Sequence, residues 1–292
     1  MKTIEIPQPK GAAASFLGIL LASRKPLTAL ATLTEVTLVR PQLSLDAAHI
    51  ARYAQVCGFH AAQGVPLSYP QLLAFPLLMA FLGSSDCPWP ALGTVHLANR
   101  IVQHQPLGAG DSLRIEVQTG RLLAHEKGQI FELELRLLRA DELVWEAMQT
   151  LLRIGVKQPA GPAYASRLNA DLPLSHQADF MAPGNIGRRY GQVSGDFNPI
   201  HLSTLSARLF GFRRAIAHGL WTQARALAAL LPRAPLAQAE LTVEFKTPLL
   251  LPARATLWST RQIKGSLEQA ALFEVRNAKG DRPHLRGLLA YQ

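Results

Sequence analysis

Tyr190–His201 reads YGQVSGDFNPIH, and 137 positions upstream Tyr53–His60 reads YAQVCGFH. Tyr, Gln, Val and Gly recur at the same places, four of the first six positions. Each copy is followed by a long apolar stretch of helical character, YPQLLAFPLLMAFL in the first half and GLWTQARALAALL in the second. Strand-like runs come next. The first half has SLRIEVQTGRLL, GQIFELELRLL and ELVWEAMQTLLRI, and the second has AELTVEFKTPLLL, ARATLWSTRQI and QAALFEVRNA. They alternate enough to form half-buried antiparallel strands. The chain therefore reads as a duplication in which each unit is a helical segment followed by an antiparallel meander. The expected boundaries are an N-terminal arm at 1–40, a first unit at 41–155, a linker at 156–178 and a second unit at 179–292. The linker is rich in Pro, Ala and Ser and lacks sustained periodicity.

Composition agrees with two packed units. The 292 residues are 48% hydrophobic and 17% charged, enough apolar material for a core and too little charge for a disordered chain. The net charge of +10 is uneven: 13 basic against 12 acidic residues up to Arg153, then 17 against 8. Such a field attracts phosphates or acidic surfaces. No basic run with interleaved aromatics accompanies it, so a nucleic-acid-binding module is not expected. Cys57 and Cys87 stand alone, without disulfide or zinc spacing, which points to a reducing cytoplasm. GAAASFLGILLAS, flanked by Lys2, Glu5 and Lys10 and then by Arg24 and Lys25, is shorter than the about 20 residues a bilayer needs. It reads as a docking helix or arm, with no membrane partner.

The longer segment YGQVSGDFNPIHLSTLSARLFGFRRAIAHGL resembles the signature of MaoC-like dehydratases, the R-specific enoyl-CoA hydratase family. The match covers about thirty residues and includes a second block, GF then IAHG, at the family's distance. Ala215 stands where a proline is frequent. The resemblance implies an α+β double hot-dog fold: two antiparallel sheets, each wrapped around a long central helix, joined as a pseudo-dimer. The protein would then be a pseudo-dimeric monomer or a homodimer. The implied activity is that of a 3-hydroxyacyl thioester dehydratase, or R-specific 2-enoyl-CoA hydratase, in fatty acid metabolism. Its substrate would be an acyl-CoA or an acyl-carrier-protein thioester. No metal and no cofactor is implied beyond the coenzyme A or phosphopantetheine of that substrate.

The residues support that chemistry on their own terms. Hydrating an unsaturated thioester needs proton transfer at C2, water at C3 and a stabilised enolate-like oxygen. Asp196 and His201 are the proton-handling pair, a carboxylate and an imidazole able to polarise one water near neutral pH. Pro199 suits the first turn of a helix, and Asn198 can cap it and orient the pair. Ser194 is a further supporting group. Gly219, at the start of the apolar helix, can offer its N–H to the thioester oxygen. His218, Tyr190, Val193, Tyr53 and Val56 are read as structural. In the first half, Phe59 occupies the place of Asp196 and nothing like NPIH follows, so His60 is a loop residue. The apolar run LLAFPLLMAFL either lines an acyl-chain pocket or is plain helix core. Arg188, Arg189, Arg208, Arg213, Arg214 and Lys246 could meet the phosphates of coenzyme A or the acidic face of a carrier protein. Arg213, Arg214 and Lys246 are the expected substrate-binding cations. A hot-dog thioesterase is the alternative, needing a carboxylate that activates water at the carbonyl.

Overall fold

The computed structural model describes residues 2–9, 11, 25, 32–166, 168, 173–260 and 269–292. The apolar stretch expected to form a docking helix falls, except for its first glycine, outside the described residues. The first half comprises β1 (Lys2–Glu5), β2 (Val36–Ser44), α1 (Ala47–Cys57), α2 (Pro70–Gly83), β3 (Thr94–Gln103), β4 (Ser112–His125), β5 (Gly128–Arg139) and β6 (Glu142–Ile154). The second comprises β7 (Ser175–Ala182), α3 (Ile186–Ser194), α4 (Pro199–Leu202), α5 (Thr204–Arg208), α6 (Gly219–Leu230), β8 (Ala239–Phe245), β9 (Ala253–Ser259), β10 (Gln269–Asn277) and β11 (Pro283–Tyr291).

All the strands belong to one sheet of order β1-β2-β4-β5-β6-β3-β8-β11-β10-β9-β7. Counted outward from the β3–β8 junction, β3-β6-β5-β4-β2 matches β8-β11-β10-β9-β7 strand for strand. The two halves are thus related by a pseudo-two-fold through that junction, and the fold is a double hot dog. The two sheets of the expected pseudo-dimer run on into one continuous sheet, because β3 and β8 pair antiparallel from Ala98↔Glu244 to Gln103↔Ala239. Two expected boundaries also shift. β2 begins at Val36, inside the arm placed at 1–40, and β7 begins at Ser175, inside the linker placed at 156–178. The run AELTVEFKTPLLL leaves the ladder after Phe245, ahead of Pro248, which has no N–H to give a neighbouring strand.

The helices follow from local chemistry. Asp46 caps α1 by accepting from the Ala48 N–H at 2.8 Å, and Gly58, at φ 81°, ends it in the left-handed region. α2 starts with Pro70 at its first position and is apolar all round, burying Leu72, Ala74, Leu77, Leu78, Phe81 and Leu82. A helix with no polar face has to be enclosed, and the first half of the sheet supplies the enclosure. α6 repeats the arrangement, burying Trp221, Ala224 and Leu227.

Three buried amides fasten the halves together. Gln71 on α2 donates to Asn99 on β3 at 2.9 Å, Asn99 donates to Gln223 on α6 at 2.9 Å, and Gln223 donates back to Gln71 at 3.2 Å. The ring is closed, so removing one member strands the other two at a cost of about 1–3 kcal/mol each. His49 on α1 adds a second tie, donating from Nε2 to the Val193 carbonyl at 2.9 Å while Nδ1 accepts from the Tyr69 hydroxyl at 2.8 Å. Trp221 of α6 donates to the Val56 carbonyl at 3.1 Å. Tyr53 and Tyr190, the first residues of the repeated motif, approach each other with ring centroids 6.3 Å apart. Both are buried, as expected for core contacts.

Candidate active site

A cavity of about 550 Å³ lies between the halves. The motif from Ser194 to His201 closes one side of it, and each turn of that segment is held by the next side chain. Gly195, at φ 77°, turns the chain out of α3. Ser194 Oγ accepts from the Asp196 N–H at 3.1 Å, and Asp196 Oδ1 accepts from the Asn198 N–H at 3.1 Å. Asn198 caps α4 through the Ile200 N–H at 3.4 Å, with Pro199 as the first helical residue. Short polar side chains bonding to the backbone two residues on favour such a bend over continued helix.

His201 is buried, and its Nδ1 donates to the Ile216 carbonyl at 2.9 Å. That bond selects the tautomer and leaves Nε2 to exchange a proton. The His218 ring stacks on His201 with centroids 3.7 Å apart and planes at 25°. His218 Nε2 donates to the Asp196 backbone carbonyl at 3.1 Å, and Nδ1 is buried without a hydrogen-bond partner. The Asp196 carboxylate and one nitrogen of each imidazole all lie within 4.8 Å of one another. Asp196, Asn198, His201, Ser194 and Gly219 all line the cavity. Gly219 is the first residue of α6, so its N–H has no partner within the helix. A Cβ there would stand 2.9 Å from the Phe245 ring, and only glycine leaves room at the helix end.

The expected substrate-binding cations divide between the cavity and the outer surface. Lys246 lines the cavity, paired with Glu244 at 2.5 Å. Arg213 and Arg214 are exposed and outside the cavity wall, where Arg214 donates to the Pro252 carbonyl at 3.4 Å. His60 is also outside the wall, capping the short turn Ala61–Gln63 through the Ala62 N–H at 3.1 Å. His60→Ala should therefore leave turnover within about twofold of wild type and cost about 1 kcal/mol as a lost cap. Kinetics beside thermal melts would check this, and a crippled variant would move the site to the first half.

The wall also holds residues read as structural or passed over. His218 and Tyr190, with ring centroids 4.8 Å apart, back the Asp196–His201 segment. His96 of β3 reaches in from the other half, 5.0 Å from the Phe245 ring. The position of His218 directly before Gly219 is a sequence signal for the first, whereas the polar inner face of β3 hides the strand that carries the second.

Burial keeps these imidazoles neutral. It pushes His218 down to about 3, with the His201 ring adding to the effect and Asp196 opposing it. It pushes His96 down to about 4 and holds His201 below its ordinary value. The His218–Asp196 carboxylate approach of 3.6 Å is consequently not an ion pair at neutral pH. In the unfolded chain these groups take protons near 6.5. Below that pH the unfolded state binds protons the folded state refuses, so stability is full above about 6.5 and falls as pH drops toward 4. The melting temperature should be level between pH 7 and 8 and decline below 6.5, and His96→Gln should decline less steeply. A melting temperature indifferent to pH between 6.5 and 5 would contradict this.

A double hot dog with a carboxylate and a tautomer-fixed imidazole at one end of a largely apolar inter-half cavity defines a class of acid–base enzymes. The chain belongs to the MaoC-like dehydratase family. Residues 175–279 match the model of the MaoC like domain. A 3-hydroxyacyl-thioester dehydratase X of Mycobacterium tuberculosis is 34% identical over 223 residues, which cover 76% of this chain and 79% of that protein. The crystal structure of HtdX of Mycobacterium tuberculosis superposes with a TM-score of 0.71 at 30% identity, over 87% of this chain and 98% of that one. A MaoC-like dehydratase from Phytophthora capsici shares the fold, with a TM-score of 0.73 at 17% identity over 94% and 97% of the two chains.

Proposed function

We propose that the protein is a 3-hydroxyacyl thioester dehydratase, equally an R-specific 2-enoyl thioester hydratase, acting on acyl-CoA or acyl-carrier-protein thioesters in fatty acid metabolism. The observation that carries this reading is the grouping of the Asp196 carboxylate with a His201 ring whose Nδ1 is committed to a carbonyl. In the hydration direction His201 Nε2 takes a proton from a water shared with Asp196, and the hydroxide adds to C3. Electrons move onto the thioester oxygen, which the Gly219 N–H stabilises. The proton is then delivered from the pair to C2, and the oxygen's charge returns. Dehydration is the reverse through the same transition state.

Leu72, Phe75, Leu78, Met79 and Leu82 of α2 line the same cavity, which favours the acyl-pocket reading of that helix over plain core. The proposed reaction calls for no metal and no dissociable cofactor. Both cysteines are free and buried, and no helix among the described residues is long and apolar enough to cross a membrane; a cytoplasmic location fits this reading.

Crotonyl-CoA is the test substrate. The enoyl thioester absorbance should be lost, and in heavy water one water held by one pair on one face should give syn addition with the 3R-hydroxyl. Release of free coenzyme A without hydration would favour the thioesterase alternative, and a 3S or anti product would overturn the one-water mechanism.

A further inference from the structure

From Phe180 to Ala239 the chain carries seven arginines and a single carboxylate, Asp196, which faces the cavity. Arg188, Arg189, Arg208, Arg213 and Arg214 are all exposed, and none forms an ion pair among the described residues. Several arginines elsewhere are paired: Arg100 meets Glu240 at 2.8 Å, Arg121 meets Glu132 at 2.8 Å, and Arg139 meets Asp111 at 2.6 Å. Among the described residues the positive surface therefore has no counter-charge in ion-pair contact.

Large apolar side chains project from the same stretch. Leu205 is 75% exposed, Leu209 81% and Phe210 41%. They are held there by ordered backbone, since Ser203 caps α5 through the Ser206 N–H at 3.0 Å and the Phe212 N–H returns to the Ala207 carbonyl at 3.1 Å. Phe197 and Phe212, on either side of them in sequence, line the cavity. Patch and cavity thus share a wall, and whatever covers the patch stands beside the place where a thioester would enter.

The chemistry selects among occupants. Free coenzyme A offers phosphates to the arginines and nothing to cover Leu205 and Leu209. A bilayer covers leucines without presenting a soluble thioester to the adjoining cavity. An acidic protein with an apolar contact face satisfies both halves of the patch, and a thioester on its phosphopantetheine arm would meet the cavity directly. We propose that α5 and the following turn, Leu209–Arg214, dock an acidic acyl carrier protein. This rests on the thioester dehydratase reading above and names the partner of that site.

Two measurements test it. The first is binding of holo-acyl carrier protein, carrying no acyl group, by calorimetry in low and high salt. Affinity should fall at least about tenfold between 50 and 300 mM salt, and Arg208→Glu should weaken it further at low salt. The second compares crotonyl-acyl carrier protein with crotonyl-CoA in a Leu205→Ser/Leu209→Ser variant. We expect kcat/KM for the carrier-protein substrate to fall at least about tenfold, the scale of a lost apolar anchor pair, with crotonyl-CoA unchanged within about twofold. The proposal is overturned if both substrates lose equally or neither loses. It is also overturned if the variant instead dissociates a dimer in sedimentation, or only abolishes co-sedimentation with phosphatidylglycerol vesicles. A wild-type enzyme that hydrates crotonyl-CoA yet ignores holo carrier protein sinks the docking surface alone. One that binds the carrier protein but hydrates neither thioester sinks the dehydratase reading and leaves the surface standing.

Discussion

Asp196→Asn should lower turnover of crotonyl-CoA by at least about a hundredfold, the usual scale for losing a general acid or base, with the melting temperature close to wild type. The geometry separates the two effects. Asp196 Oδ1 accepts from the Asn198 N–H, and an amide oxygen can do the same. His218 reaches the backbone carbonyl of Asp196, not its carboxylate, so that tie survives as well. The side chain is 30% exposed, so no buried charge is stranded or relieved. What disappears is the ability to hold or pass a proton. His201→Ala should cost as much, and the double variant little more than either alone, because residues acting on one water are strongly non-additive. Single-turnover rates with the three variants, beside thermal melts, would decide the matter. An Asp196→Asn enzyme with near wild-type turnover would remove the carboxylate from the proposed mechanism.

The pieces legible in the sequence were those whose physics is local. The repeated YxQVxG marks two α-helices that meet across the pseudo-two-fold, and the strands β4, β5 and β6 stand where their apolar alternation put them. β7, SHQADFMA, is not legible in the sequence because it is an edge strand with mostly exposed residues. β3, TVHLANRIVQ, is hard to read as a strand because its inner face carries His96 and Asn99, where a core strand would show aliphatic residues. Asn99 is inside because two amides from other elements satisfy it, and no window of sequence can show that. The site divides the same way. Asp196, Asn198 and Gly219 are local turn and helix-end positions and could be read directly. The stacking of His218 on His201 depends on the Ile216–Gly219 stretch returning beside α4, a tertiary event. Arg213 and Arg214 adjoin the motif in sequence, yet they stand exposed outside the cavity wall, a placement that depends on the tertiary fold.

Gly187→Ala should also cost about a hundredfold in turnover, although the residue lies outside the cavity wall. Helix propensity argues the other way: Gly187 sits within α3, where alanine is better by about 1 kcal/mol. Sterics decide the sign. A Cβ on Gly187 would stand 1.8 Å from the His201 carbonyl oxygen and 3.3 Å from its Cα, and no rotamer relieves a clash with backbone. α4 must therefore retreat from α3. His201 is positioned by that short helix, by its Nδ1 bond to the Ile216 carbonyl at 2.9 Å and by the Ile216 N–H bond to the Ile200 carbonyl at 3.0 Å. A backbone shift large enough to admit the methyl group pulls on both bonds and moves the His201 ring out of its grouping with the Asp196 carboxylate. A displacement of about 1 Å at a reacting group is enough for the predicted loss. Gly184→Ala is the control, since a Cβ there meets nothing nearer than 3.9 Å, and it should leave turnover unchanged. The loss should fall on kcat more than on KM, because Leu72, Phe75, Leu78, Met79 and Leu82 of the cavity's apolar lining lie on α2 in the other half and are not displaced with α4. If Gly187→Ala turned over like wild type, the close approach of α3 to α4 would not be what positions His201, and the Ile216 contacts alone would have to account for its placement.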